Sequence, residues 1–140
     1  MTSPAPEAAQ HEATVRELFK RMSARDFDGV VKLLDEDVEF DLAFAPEMIE
    51  MPIRGRDAMH ALITNVIGAM FEPFALKLTM AYPGADGTTL IAEYTSDGAV
   101  KHNGRPYVNR YVGIFRFGDS GITFWREYHN PEAATKALTG

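Results

Sequence analysis

Apolar residues recur along this chain with two different periods, and the change from one to the other divides it. From His11 to Ala24, Val15, Leu18, Phe19 and Met22 follow the i, i+3, i+4, i+7 rule and predict an amphipathic helix. Phe27, Val30, Val31 and Leu34 repeat that spacing behind Asp26, a residue suited to cap a second, short helix, and Asp35-Glu36-Asp37 ends it. Val38 to Leu42 alternates instead: Val38, Phe40 and Leu42 on one side, Glu39 and Asp41 on the other. This is the pattern of a half-buried strand. Phe44 to Gly55 has two prolines, two methionines and no period. It reads as a loop tucked on the core, or as a lid with adaptable apolar knobs. Met59, Leu62, Ile63, Val66, Ile67 and Met70 then predict a third helix over Asp57 to Phe71, stopped by Pro73.

Period two returns and persists. Phe74 to Tyr82 and Thr88 to Asp97 each alternate, with the turn Pro83-Gly84-Ala85-Asp86-Gly87 between them. Gly104 to Pro131 reads as two long antiparallel strands joined at Gly118-Asp119-Ser120-Gly121. In the first, Tyr107, Asn109, Tyr111, Gly113, Phe115 and Phe117 share one face, and Val108, Arg110, Val112, Ile114 and Arg116 share the other. In the second, Thr123, Trp125, Glu127 and His129 lie together. The order is helix, helix, strand, helix, then four strands in a meander. It predicts an α+β fold in which three N-terminal helices back one face of a curved antiparallel sheet. Gly113 and Gly121 allow long strands to bend. A bent sheet closed by helices leaves a conical space, a natural ligand pocket. Residues 1–8 read as a loose tail and 9–140 as a single domain.

Composition narrows the function. Asp and Glu number 20 against 14 Lys and Arg, a net charge of −6, which argues against nucleic acid or an anionic membrane as the partner. No apolar run is long enough to span a bilayer. The first residues, MTSPAPEAAQHEA, lack the basic and apolar regions of a secretory signal, so the expected location is cytoplasmic. The absence of cysteine excludes disulfides, thiol catalysis and thiolate metal sites. His11, His60 and His102 show no ligand spacing, so no metal is expected. No glycine-rich phosphate loop follows a strand and opens a helix, so no nucleotide cofactor is expected.

The candidate chemistry lies on the last strand. Glu127 is flanked on its own face by Trp125 and His129. In an apolar pocket a carboxyl group titrates near working pH, as a general acid or base must. The structural alternative is an ion pair with Arg110 or Arg126 around the strand edge. His129, at the strand end, could pass a proton or hold Glu127, or simply meet solvent. Tyr94, Asn109 and Tyr111 can donate to a ligand oxygen, or form a polar network that satisfies itself. Asp41 is an alternative base only if a bulge turns it toward the pocket.

The element order, RGRDAMHAL at the third helix, and GIFRFGDSGITFWREYHNP near the end resemble the nuclear transport factor 2-like superfamily, a cystatin-like roll. Within it the chain is most similar to the SnoaL-like group, alongside polyketide cyclases, ketosteroid isomerases and limonene epoxide hydrolases. The resemblance covers nearly the whole chain. It implies a small apolar organic ligand, no cofactor, and a homodimer formed through the sheet. It also implies that Phe40, Leu42, Tyr94, Ser96, Gly113 and Glu127 face the pocket. The oxyanion-hole tyrosine and acid of the isomerases fall at Leu18 and Gly113, and their base at Leu42, or at Asp41 after a slip of one residue. The water-holding tyrosine and asparagine of the epoxide hydrolases fall at Phe40 and Leu42. Their arginine and second aspartate fall at Tyr94 and Ser96. Only their last-strand carboxylate is retained, as Glu127. The expected function is a cofactor-independent isomerase, cyclase or lyase acting on an apolar metabolite. In it Glu127 moves the proton, His129 assists, Asp41 stands as the alternative base, and Phe40, Leu42, Tyr94, Ser96, Asn109, Tyr111 and Trp125 bind. The alternatives are a non-catalytic binding protein or a dimeric interaction module with the same fold.

Overall fold

The computed structural model describes residues 6–139. Helices α1 (Pro6–Ser23) and α2 (Phe27–Val31) lead into β1 (Leu34–Leu42), a two-residue β2 (Ile53–Arg54) and α3 (Arg56–Leu62), which continues as a π-helical segment (Ile63–Gly68). Four long strands follow, β3 (Phe71–Pro83), β4 (Thr89–Val100), β5 (Pro106–Gly118) and β6 (Gly121–His129), and then α4 (Pro131–Leu138). Pro6 to Ala8, expected in the tail, form the start of α1; the rest of that tail lies outside the described residues.

The sheet runs β2-β1-β6-β5-β4-β3. Its pairs are antiparallel except one: β1 lies parallel to β6, so the sheet is mixed. Sequence alternation fixes which face of β1 is buried but not the direction in which it meets a strand more than a hairpin away. The backbones of that pair come close at Gly121, where φ is +117° and an added Cβ would stand 2.5 Å from the Leu33 carbonyl oxygen. Glycine alone is at ease there, and its neighbour Ile122 donates its N–H to the same oxygen at 3.0 Å.

The amphipathic stripe of α1 is buried as its period dictates: Val15, Leu18, Phe19 and Met22 all sit in the core, laid over the inner face of β3 and β4. Asp26 caps α2 by accepting the Gly29 N–H at 3.0 Å. The acidic run Asp35-Glu36-Asp37, expected to end a helix, instead forms an irregular stretch of β1, where the register shifts between Leu34 and Glu39. The third helix stops short of Phe71. Pro73 lies inside β3, an edge strand, where a missing N–H is tolerated. In the connection after β1, Met51 tucks against the core and its sulfur accepts the Leu42 N–H at 3.5 Å, while Met48 is exposed.

Helix α4 has no counterpart among the sequence expectations. Asn130 caps it, accepting the Glu132 N–H at 3.0 Å, and Pro131 takes the first helical position. Its Ala134, Ala137 and Leu138 pack on the core. At its far end Asn103 Nδ2 donates to the Ala137 carbonyl at 2.9 Å. The helix therefore runs from the end of β6 to the β4–β5 turn, across one end of the interior.

Candidate active site

Strand register lines the inner face in rows. Leu90, Phe115, Trp125 and Phe40 are successive cross-strand neighbours. Ala92, Gly113, Glu127 and Leu42 form the next row, Tyr94, Tyr111 and His129 the next, and Ser96 and Asn109 the last. Alternation in four separate strands thus brings the expected residues to one interior face, with one exception. Asp41 pairs with Arg126 across the parallel ladder, on the opposite face, where it accepts from Arg126 Nε at 2.9 Å. The irregularity in β1 ends before Asp41 and leaves its side chain outside the interior. The bulge that an alternative base at Asp41 required is therefore in the wrong place.

Glu127 carries the chemistry of the face. Tyr94 donates its phenolic hydrogen to Glu127 Oε2 at 2.5 Å, and Trp125 Nε1 donates to the Tyr94 oxygen at 3.2 Å. No Lys or Arg is in ion-pair contact with Glu127 among the described residues; Arg126, one of its two possible structural partners, is taken by Asp41. Glu127 keeps part of its surface accessible, yet protein packs densely around its carboxylate, which is therefore poorly hydrated. That burial raises its pKa from 4.5 to about 7; the Tyr94 hydrogen bond acts in the opposite sense and only partly offsets it. Burial, reinforced by the neighbouring Glu127, holds the Tyr94 hydroxyl far above the usual phenol range, so it stays a donor.

Room for this pair comes from Gly113. A Cβ built there would stand 2.8 Å from Tyr94 Cε1, the Tyr94 hydroxyl and Phe115 Cε1. The Tyr94 ring passes over the space that a side chain at 113 would fill, and this is how its hydroxyl reaches the next row. From the sequence, Gly113 counts only as a missing acid and a point of bending. The signal available was a glycine amid a continuous aromatic face, a mark of close approach.

A second network lies beside the first. Asn109 Nδ2 donates to the Tyr107 hydroxyl at 2.8 Å, Tyr107 meets Tyr111 at 3.1 Å, and Tyr111 meets Ser96 Oγ at 2.7 Å. Asn109 is spent on protein. Its second amide hydrogen goes to the Asn130 carbonyl at 3.0 Å, and its oxygen accepts from Asn130 N at 3.1 Å and Arg110 N at 2.8 Å. All four of its hydrogen-bonding positions are filled, so it clamps the root of α4. His129, cross-strand neighbour of Tyr111, has a buried Nδ1 with no partner, and burial lowers its pKa below 6.5. The remaining walls are aromatic: Phe115 stacks on Trp125 at 5.1 Å, Phe40 meets Trp125 edge-on at 4.9 Å, and Phe19 of α1 lies 4.5 Å from Tyr94. Among the described residues, no cluster of His, Asp and Glu has metal-binding geometry, and no helix is long and apolar enough to cross a membrane.

A curved mixed sheet backed by helices is the architecture of the nuclear transport factor 2-like proteins. The SnoaL-like domain family matches residues 15–125, and the chain belongs to that family. YesE, an uncharacterised protein of Bacillus subtilis (strain 168), is 29% identical over 127 residues, 91% of this chain and 86% of its own. A solved structure from Bacillus subtilis, provisionally named an isomerase, superposes with a TM-score of 0.85 at 29% identity over 96% of each chain. Rv0760c of Mycobacterium tuberculosis, solved in complex with estradiol-17β-hemisuccinate, shares the fold at a TM-score of 0.76 and 18% identity, over 91% of this chain and 96% of its own. Solved proteins of the same fold also include polyketide cyclases and an epoxide hydrolase, by the names they carry.

Proposed function

We propose that this protein is a cofactor-independent acid–base enzyme, of the isomerase, cyclase or lyase type, acting on a largely apolar organic metabolite. One observation carries the reading. An interior carboxyl group, Glu127, has no cationic partner among the described residues and is lifted to about 7 by burial, so it exchanges a proton near neutral pH. A carboxyl kept only for structure gains nothing from such a site and would be better served by a cation. Tyr94 orients the carboxyl group, and the aromatic walls select an apolar body. The complex of Rv0760c with an esterified steroid supports a ligand of that kind. A cysteine-free chain accords with the cytoplasm. Exposed Val108 and Val112 on the outer face of β5 support a homodimer through the sheet.

The test is Glu127→Gln. The amide keeps the shape and accepts the Tyr94 hydrogen bond but cannot take up a proton. Turnover of any substrate found should fall ~100- to 10,000-fold with the fold intact. Undiminished turnover in a folded Glu127→Gln protein would end the reading. One feature favours a binding protein as the second reading: Leu18 and Gly113 stand where isomerases of this fold keep their oxyanion hole. If the wild type turns nothing over yet retains a ligand through purification, that second reading replaces the first.

A further inference from the structure

The hydroxyl chain beside Glu127 does not close on itself. Tyr107, Tyr111 and Ser96 bring three hydroxyl hydrogens, and the chain contains two hydroxyl–hydroxyl contacts. Each contact uses one hydrogen. Asn109 Nδ2 can only donate to Tyr107, so it takes up none of them. One hydrogen is therefore left over, and no acceptor for it exists among the described residues. Either oxygen of each contact can be the donor, so the spare hydrogen sits on Tyr107, Tyr111 or Ser96, residues only 5%, 7% and 1% exposed. Burying a polar hydrogen without an acceptor costs about 1–3 kcal/mol.

An unpartnered ring nitrogen belongs to the neighbouring residue on the next strand. His129 is the cross-strand neighbour of Tyr111, and its Nδ1 is buried without a partner. Burial favours the neutral ring. In the neutral tautomer with the ring proton on Nε2, Nδ1 presents a lone pair. The hydroxyl chain with its spare hydrogen and the unpartnered Nδ1 thus meet at the cross-strand neighbours Tyr111 and His129, in the row next to that of Glu127.

We propose that His129 holds its ring proton on Nε2 and that Tyr111, Ser96 and His129 form a subsite for a ligand hydroxyl, an oxygen that accepts from the tyrosine–serine chain while donating to His129 Nδ1. A ketone or ether oxygen meets only half of this demand, and a carboxylate is refused by the lone pair. The proposal rests on the reading of this interior as a ligand site around Glu127 and gives that ligand its class: an apolar alcohol, phenol or enol whose reacting atom lies one row away from its hydroxyl.

Three probes of one shape test it: 2-naphthol, 2-methoxynaphthalene and naphthalene, titrated while following the fluorescence of Trp125, the sole tryptophan. The naphthol should bind about tenfold more tightly than its methyl ether, since each added hydrogen bond contributes roughly 0.5–1.5 kcal/mol. Naphthol should also shift the His129 Nδ1 resonance in nitrogen-15 spectra, and the ether should not. Tyr111→Phe and His129→Leu should each cut the preference several-fold. The resonance shift on wild-type protein keeps the test decisive if either variant misfolds. Equal affinity for naphthol and ether, an unmoved Nδ1 signal, or no binding of any probe overturns the proposal. So does a preference that survives in His129→Leu but vanishes in Glu127→Gln, because the hydroxyl would then sit on the carboxyl group. Turnover undiminished in Glu127→Gln, with the naphthol preference kept, refutes the acid–base reading and leaves this subsite standing.

Discussion

The distance between Gly113 and the Tyr94 ring sets the chemistry of Glu127 at the scale of single residues. Gly113→Ala places a methyl group 2.8 Å from the Tyr94 hydroxyl and from Phe115 Cε1. Overpacking of this kind costs roughly 1–3 kcal/mol. It also drives the phenol off Glu127. That hydrogen bond holds the Glu127 pKa down against burial, so its loss should move the carboxyl group above about 7. Carbon-13 titration of the glutamate carboxyls, with thermal melts on the same protein, checks both effects. The Glu127 shift has a second consequence. Its folded pKa, about 7, stands above 4.5, so the folded state holds the proton more tightly than the unfolded chain. Stability should therefore fall as pH rises from about 4.5 to 7, by roughly 3 kcal/mol, and stay low above that window. His129 works in the other direction. Its lowered pKa destabilises the fold as pH drops below 6.5, so the two windows overlap. The difference in melting temperature between wild type and Glu127→Gln, followed from pH 4 to 8, cancels the histidine. It should grow in favour of the amide as pH rises; a flat difference would place the Glu127 pKa near its ordinary value.

Helix α4 is the element whose position depends most on interior polar groups. Asn109, near the start of β5, makes two hydrogen bonds to the Asn130 backbone where the helix starts. The helix itself offers mainly Ala134, Ala137 and Leu138 to the core, a small apolar face. Asn109→Ala should therefore cost about 1–3 kcal/mol, through lost bonds and the unmet polar groups left behind. The loss should appear first as faster hydrogen exchange in residues 131–139, with the exchange of β4 and β5 little changed. Uniform acceleration across the sheet would mean that Asn109 supports the sheet rather than the helix. Because α4 crosses one end of the interior, loosening it should also speed entry and release of the naphthol probe.

For the whole molecule, the outer face of the sheet is the open question. Phe124, on that face, is covered by the guanidinium groups of Arg116 and Arg126 at 4.6 and 5.0 Å from its ring. Val108 and Val112 have no such cover and are 60% and 37% exposed. Their cross-strand neighbours on β4 are the acidic Asp97 and Glu93, and Arg110 lies between them on β5. A second copy turned by a two-fold axis would set valine on valine and acid on arginine. Light scattering at micromolar concentration should give a dimer, and Val108→Glu with Val112→Glu should give a folded monomer with the interior site unchanged. A wild-type monomer would remove the dimer.

How much of this was legible in the sequence depended on whether the information is local. Periods of 3.6 and 2 mark Val15, Leu18, Phe19 and Met22 as one buried stripe and place Tyr94, Tyr111, Trp125 and Glu127 on one face, because side-chain direction follows from backbone geometry alone. The turn at Asp119-Ser120 was fixed the same way, by two residues between paired glycines. Alternation and family resemblance both pointed to Glu127, whose neighbours on its own strand the sequence could name. Only the folded chain decided the rest. The parallel β1–β6 pairing, the Asp41–Arg126 contact and the reach of Tyr94 over Gly113 join residues far apart in the chain. Alternation puts Asn109 on the inner face; the tertiary structure alone spends its amide on Asn130 and leaves His129 Nδ1 without a partner. Hydrogen-bond satisfaction depends on which groups meet in space, a property no window of sequence contains.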